Sequence, residues 1–190
     1  MGLDQYIYRV SKPELEDKVY TTKELGLFEE LHSTAAIDFE TNDCLYKELA
    51  PYVVKRDVQC ELYDVEKMIA DYNLPKDSHI WRYIGGGITI GGRDKDGNRI
   101  DQEISDKEIA KKYTKTSIIT HYIWKAKEVQ YWRKHYELQD WIYDNIDTAE
   151  NTAYCMLNAN LIAELNEMFD ECIPEKDPTA ESALFYWEWY

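Results

Sequence analysis

The run KAKEVQYWRKHYELQDWIYDNI, Lys125 to Ile146, constrains the fold more than any other stretch. It is long, contains no Gly or Pro, and its apolar residues recur near helical spacing. Val129, Trp132, Tyr136, Tyr143 and Ile146 fall near one stripe, and Tyr131, His135, Leu138 and Ile142 near a neighbouring one. Together they are too wide for a helix that lies on a surface with one side in water. Both sides need cover, so the pattern predicts a central helix over about residues 125–146 with the rest of the chain packed around it. Arg133, Lys134 and Asp140 lie on or near the remaining face. Arg133 among so many aromatic rings can stack on them or pair with a carboxylate.

A chain of 190 residues is long enough for one buried core, and a single domain over 1–190 is the expectation. Asp and Glu number 37 against 22 Lys and Arg, a formal charge of -15. Such a surface repels a phosphate backbone, so direct nucleic-acid binding is not expected. It attracts basic proteins instead, although acidity also serves solubility alone. Cys44, Cys60, Cys155 and Cys172 form no CxxC pair, which points to buried thiols in a reducing cytosol. The opening MGLDQYIY lacks a basic and then apolar leader, and no apolar run approaches the roughly 20 residues of a membrane span. No membrane partner is expected.

Local patterns fill in the rest. Leu3–Val10 reads as a strand with Tyr6, Tyr8 and Val10 on one face. Thr21 with Glu24 is a capping box, predicting a short helix over Thr22–His32 that Gly26 weakens. Residues 33–43 read as a loop or weak strand, and Leu45–Ala50 as a helical turn ending before Pro51. Tyr52–Leu62 alternates as a strand. Asp64 caps a helix to Tyr72, with Val65, Met68 and Ile69 inward. Ile80–Ile90 is a strand interrupted by Gly85, Gly86 and Gly87, and Gly91–Asn98 is turn chemistry before a further strand, Arg99–Ile104. Ser105 with Glu108 opens a helix to Tyr113, and Thr116–Trp124 is β-branched and aromatic, a strand or extended lead-in. Thr148–Asn151 is a loop, Tyr154–Leu157 a short strand, and Asn158 caps an amphipathic helix that places Leu161, Ile162, Leu165, Met168 and Phe169 inward. The aromatic tail Phe185–Tyr190 is expected to fold back as an edge strand or onto the core. The sum is an α+β fold, a mostly antiparallel sheet packed against a few helices.

Chemistry-bearing motifs are sparse. The glycines form neither GxGxxG nor a phosphate loop. Asp94–Asn98 resembles part of a calcium loop but lacks the closing Glu, and reads as a hairpin turn. His32, His79, His121 and His135 show no HxxxH spacing, so neither a metal nor another cofactor is expected. No catalytic residue is assigned.

The residues Met1-Gly2-Leu3-Asp4-Gln5-Tyr6, the block Tyr131-Trp132-Arg133-Lys134 and its continuation to Trp141, Asp144 and Asn145 carry a resemblance. They are similar to a bacteriophage and prophage protein family whose members begin MGLDMY and carry a YWRK helix. Tyr154–Phe169 and Ser182–Tyr190 are similar to the strand, helix and aromatic-acidic tail that follow in that family. The family often has His where this chain has Gln139, and Met where it has Gln5. The resemblance implies a mobile-element origin and a bacterial host cytosol, and it brings no activity with it.

Acidity, aromatic richness and this resemblance set the leading expectation. It is a protein-binding inhibitor of a host or defence protein, anti-CRISPR-like, occluding a basic nucleic-acid-binding groove. The binding residues expected are Tyr131, Arg133, Lys134, His135, Asp140, Asp144, Glu164, Glu167, Asp170, Trp187 and Trp189. The alternative is a small-ligand or nucleotide-binding enzyme with a pocket at the central helix, using Arg133, Lys134, His135 and Tyr131. A plain assembly protein is the third reading.

Overall fold

Lys125–Arg133 is extended rather than helical, and the helix of this region is confined to Tyr136–Asn145. The expected central helix over 125–146 is corrected to a strand followed by a helix. The cause is a β-bulge. Glu128 and Gln130 face the consecutive residues Tyr8 and Ile7, leaving Val129 as an extra residue. The extra residue breaks the period of two, so Val129 and Trp132 reach the same core although three apart. That spacing imitates one face of a helix.

The computed structural model describes residues 2–35, 47–147, 149 and 153–189. Most of the loop or weak strand expected at 33–43, the start of the turn at Leu45, Cys44 and most of the Thr148–Asn151 loop lie outside them. The chain is an α+β protein that divides into two compact units, Met1–Val58 with Ile119–Tyr190, and Gln59–Ile118.

The first unit holds strands β1 (Asp4–Ser11), β2 (Tyr20–Thr21) and β3 (Leu31–Thr34), with helix α1 (Thr22–Leu25) between the last two. The Thr21–Glu24 capping box is present, but α1 stops at Leu25 with Gly26 as its cap, and Leu31 and His32, expected in the helix, belong to a strand with Ser33 and Thr34. A 3-10 helix, Lys47–Tyr52, precedes β4 (Val54–Tyr63). The later elements are β8 (Thr114–Arg133), α4 (Tyr136–Asn145), β9 (Cys155–Leu157), α5 (Ala159–Phe169) and β10 (Ser182–Trp189). The sheet order is β2-β4-β8-β1-β10-β9, with β3 also paired to β8.

The aromatic tail is thus not an edge strand. β10 lies between β1 and β9 and pairs antiparallel with both. Its composition explains the place: Ala183 and Phe185 enter one core while Leu184 and Tyr186 enter the other, so both faces need cover. On one side of the sheet α4 and α5 bring Leu138, Trp141, Ile142, Ile162 and Leu165 against Ile7, Leu184 and Tyr186. On the other, Leu49 and Tyr52 of the 3-10 helix and Tyr154 pack with Tyr8, Val10, Trp124 and Phe185. Tyr6, Tyr8 and Val10 share that second face, as expected of the first strand. Asn158 caps α5 by accepting from the Leu161 N–H at 3.0 Å.

The second unit includes α2 (Val65–Asp71), β5 (His79–Ile84), β6 (Gly87–Arg93), β7 (Arg99–Ser105) and α3 (Asp106–Lys112). Asp64 and Ser105 cap the two helices. The strands form an antiparallel meander whose core is Met68, Ile88, Ile90, Ile104, Ile109 and Tyr113. The interrupted strand expected over Ile80–Ile90 is two strands. Gly86, at φ +86°, makes the turn between them. Gly91 and Gly92 belong to β6 rather than to a turn, and a Cβ at Gly91 would lie 2.4 Å from the Ile100 carbonyl oxygen. Asp94 accepts from the N–H groups of Asp96 and Asn98, which makes its loop a hydrogen-bonded turn.

Candidate functional site

The outer surface of α4 and α5 is acidic without interruption in the sequence. From His135 to Glu175 the chain carries no Lys or Arg. Both helices turn their apolar stripes to the sheet, so their charged residues face outward. Glu137, Asp140 and Asp144 are exposed along α4, Glu164 and Glu167 along α5, and Asp170 just past its end. Tyr136, Tyr143 and Met168 are exposed among them. The helices meet through Phe169, whose ring centroid lies 4.9 Å from that of His135 and 6.4 Å from that of Trp141.

A buried polar network holds this layer on the sheet. Glu188 is 1% exposed. Its carboxylate accepts from the Tyr143 hydroxyl at 2.7 Å, the Gln139 amide at 3.0 Å and the Tyr186 hydroxyl at 2.7 Å. The Gln5 amide donates to the Tyr186 oxygen and to the His135 carbonyl, and its own carbonyl accepts from the His135 N–H. Burial first, and then the Glu188 carboxylate, hold the Tyr186 hydroxyl proton far above the ordinary tyrosine range. Glu171 makes a second tie, accepting from the Trp132 indole at 2.6 Å and the Gln130 amide at 2.8 Å. Apart from His135, none of these residues stood out as a site in the sequence. One signal was available: Glu188 occupies an inward position in an otherwise apolar strand, where a carboxylate requires donors.

The expected site residues separate onto the two faces of the sheet. Asp140, Asp144, Glu164, Glu167 and Asp170 belong to the helical layer. Tyr131, Arg133, Trp187 and Trp189 alternate to the opposite face of β8 and β10, beside Asp4 and Tyr6 of β1. There Tyr131 donates to Asp4 at 2.8 Å and its ring lies 4.9 Å from that of Tyr6, while Arg133 approaches Asp4 at 3.9 Å. Lys134 is exposed at the corner between β8 and α4, with φ +59° and its N–H donating to the Leu3 carbonyl. His135 caps α4, its Nδ1 accepting from the Leu138 N–H at 3.2 Å.

The pocket expected at the central helix is a hollow of about 450 Å³ lined by Trp132 to Glu137. Arg133, Lys134 and His135 line it together while Tyr131 does not, and the His135 Nδ1 lone pair is engaged by the helix cap. Among the described residues no three His, Cys, Asp or Glu side chains gather as metal ligands, and no helix is long and apolar enough to cross a membrane. In comparisons with protein-family models, with curated proteins and with solved structures, this chain finds no match.

Proposed function

We propose that this chain is a phage-type protein-binding protein that acts in the bacterial host cytosol and docks its α4–α5 face on a basic surface of a host or defence protein. The observation that carries the reading is the cation-free stretch His135–Glu175, whose two helices present carboxylates outward. A groove built for phosphates meets in that face a set of exposed carboxylates. Docking there occludes the groove, in the manner of an anti-CRISPR-like inhibitor. The carboxylates steer the encounter, and the exposed Tyr136, Tyr143 and Met168 supply apolar contact once water is excluded.

The test is capture of a partner from bacterial lysate on the intact chain, followed by a salt titration and a competition with nucleic acid. Raising salt from about 0.05 to 0.5 M shortens the screening length severalfold and releases the partner. The variant Asp140→Lys, Asp144→Lys, Glu164→Lys, Glu167→Lys captures none. A partner held equally well at both salt concentrations, or equally well by the variant, overturns the reading.

A further inference from the structure

Across β8, β1 and β10 the antiparallel register stacks side chains in rows on the face away from α4 and α5. Arg133, Asp4 and Trp189 make one row, Tyr131, Tyr6 and Trp187 the next, and Glu128, Tyr8 and Phe185 a third. The rings of the middle row are close. Tyr6 lies 4.9 Å from Tyr131 and 5.6 Å from Trp187 at tilted angles, and stacks on Tyr8 at 5.3 Å and 10°. Tyr131 is 42% exposed and Trp189 52%. The platform is rigid, since three paired strands carry it and the Tyr131 hydroxyl is tied to Asp4.

We infer that Tyr6, Tyr131 and Trp187 form a platform for a guanidinium or ammonium group of a basic protein, with Asp4 and Glu128 as its counter-charges. Ring faces attract cations through their quadrupole, and carboxylates at the ring edges add to that field. Both carboxylates are felt at Tyr6: after burial, Asp4 and then Glu128 raise its hydroxyl pKa. The alternative ligand for an aromatic sheet face is a stacked nucleobase. It needs a basic groove for the backbone, whereas this face has two carboxylates on a chain of charge -15. Arg133 is the one cation in these rows. It is 69% exposed and only 3.9 Å from Asp4, so it is loosely placed and able to swing away. The inference rests on the reading of the partner as basic and adds a second contact surface to it.

Arg133 makes the test directional. The intact chain is titrated with a capped hexa-arginine peptide, its hexa-glutamate counterpart and a single-stranded oligothymidylate, following ring-proton resonances of Tyr131 and Trp187. The arginine peptide shifts them and the other two do not. Tyr131→Ala weakens binding about 3- to 30-fold, Tyr131→Phe does so far less, and Glu128→Gln weakens it in the same sense. Arg133→Ala tightens it. Tyr131→Leu, which removes the ring but keeps apolar bulk, replaces Tyr131→Ala if the latter loses its fold. Rings moved by oligothymidylate, with Arg133→Ala weakening that effect, overturn the inference in favour of nucleic acid. Unmoved rings overturn it outright. The charge-reversed α4–α5 variant separates the two readings. Ring shifts that persist there while partner capture is lost support both. Unmoved rings with salt-sensitive capture leave the α4–α5 reading alone standing, and moved rings with salt-insensitive capture leave only the platform.

Discussion

The three donors around Glu188, from Gln139, Tyr143 and Tyr186, are all neutral, so hydrogen bonds alone compensate the burial of its charge. Glu188→Leu leaves the buried Tyr186 hydroxyl proton without its acceptor and takes one acceptor from the part-buried Gln139 amide and from Tyr143. An orphaned buried group costs about 1–3 kcal/mol, so a large drop in the urea midpoint is expected. Tyr143→Phe removes one donor and lowers the midpoint less. His32 offers a pH-dependent contrast. Its Nδ1 lies 2.9 Å from the Tyr154 hydroxyl, and burial lowers its pKa below the ordinary value. The unfolded chain therefore binds its proton more readily than the folded one. Stability contributed by neutral His32 is complete above the unfolded value, about 6.5, and is lost as pH falls toward the depressed folded value. Urea midpoints at pH 7.5 and 5.5 should differ less in His32→Gln than in the unaltered chain. His121, also lowered by burial, keeps a residual slope of the same sign.

At the scale of elements, α4 and α5 are electrostatically ill-suited to being helices. Neither has a basic residue in its last turn, and Asp144 and Glu167 sit at the negative ends of their dipoles. Asp144→Lys and Glu167→Lys should each stabilise the chain by about 0.3–1 kcal/mol in thermal unfolding while weakening partner capture. A gain in stability with unchanged capture would mean that these carboxylates serve no partner. Caps and strands with a clean pattern were legible in the sequence: Thr21, Asp64, Ser105 and Asn158 cap as their side chains require, and β1 turns Tyr6, Tyr8 and Val10 one way. The segment before α4 was not, because Val129 adds one residue to β8 and shifts the phase of everything after it. That phase is set by pairing with β1, more than a hundred residues away. The separation of the expected site onto two faces has the same origin. Arg133 follows the alternation of a strand, while Asp140 follows a helix, and a single helical wheel puts both on one face.

For the whole molecule, the charge of -15 is a statement about encounter more than about fold. With a basic partner, the association rate should fall steeply with ionic strength while the dissociation rate changes little, as stopped-flow mixing over a salt series would show. A rate constant flat in salt would remove electrostatic steering from the account. The two proposed surfaces lie on opposite sides of one sheet, so a single flat groove cannot engage both; a partner using both must wrap the first unit, or two partners must share it.

The place of β1 in its sheet bears on how the chain reaches this state. β1 covers residues 4–11, yet its partners run over 125–133 and 182–189. The meander of the second unit closes between neighbours in sequence, over residues 79–105. Loop-closure entropy makes the second kind of pairing fast and the first slow. Refolding should therefore protect the amides of Ile88, Ile90 and Ile104 before those of Ile7 and Tyr186. In the interval β1 offers two unpaired strand edges, flanked by the apolar rings that later fill both cores. The vulnerable moment for this protein is kinetic: crowding of half-folded chains, edge to edge, before β10 arrives.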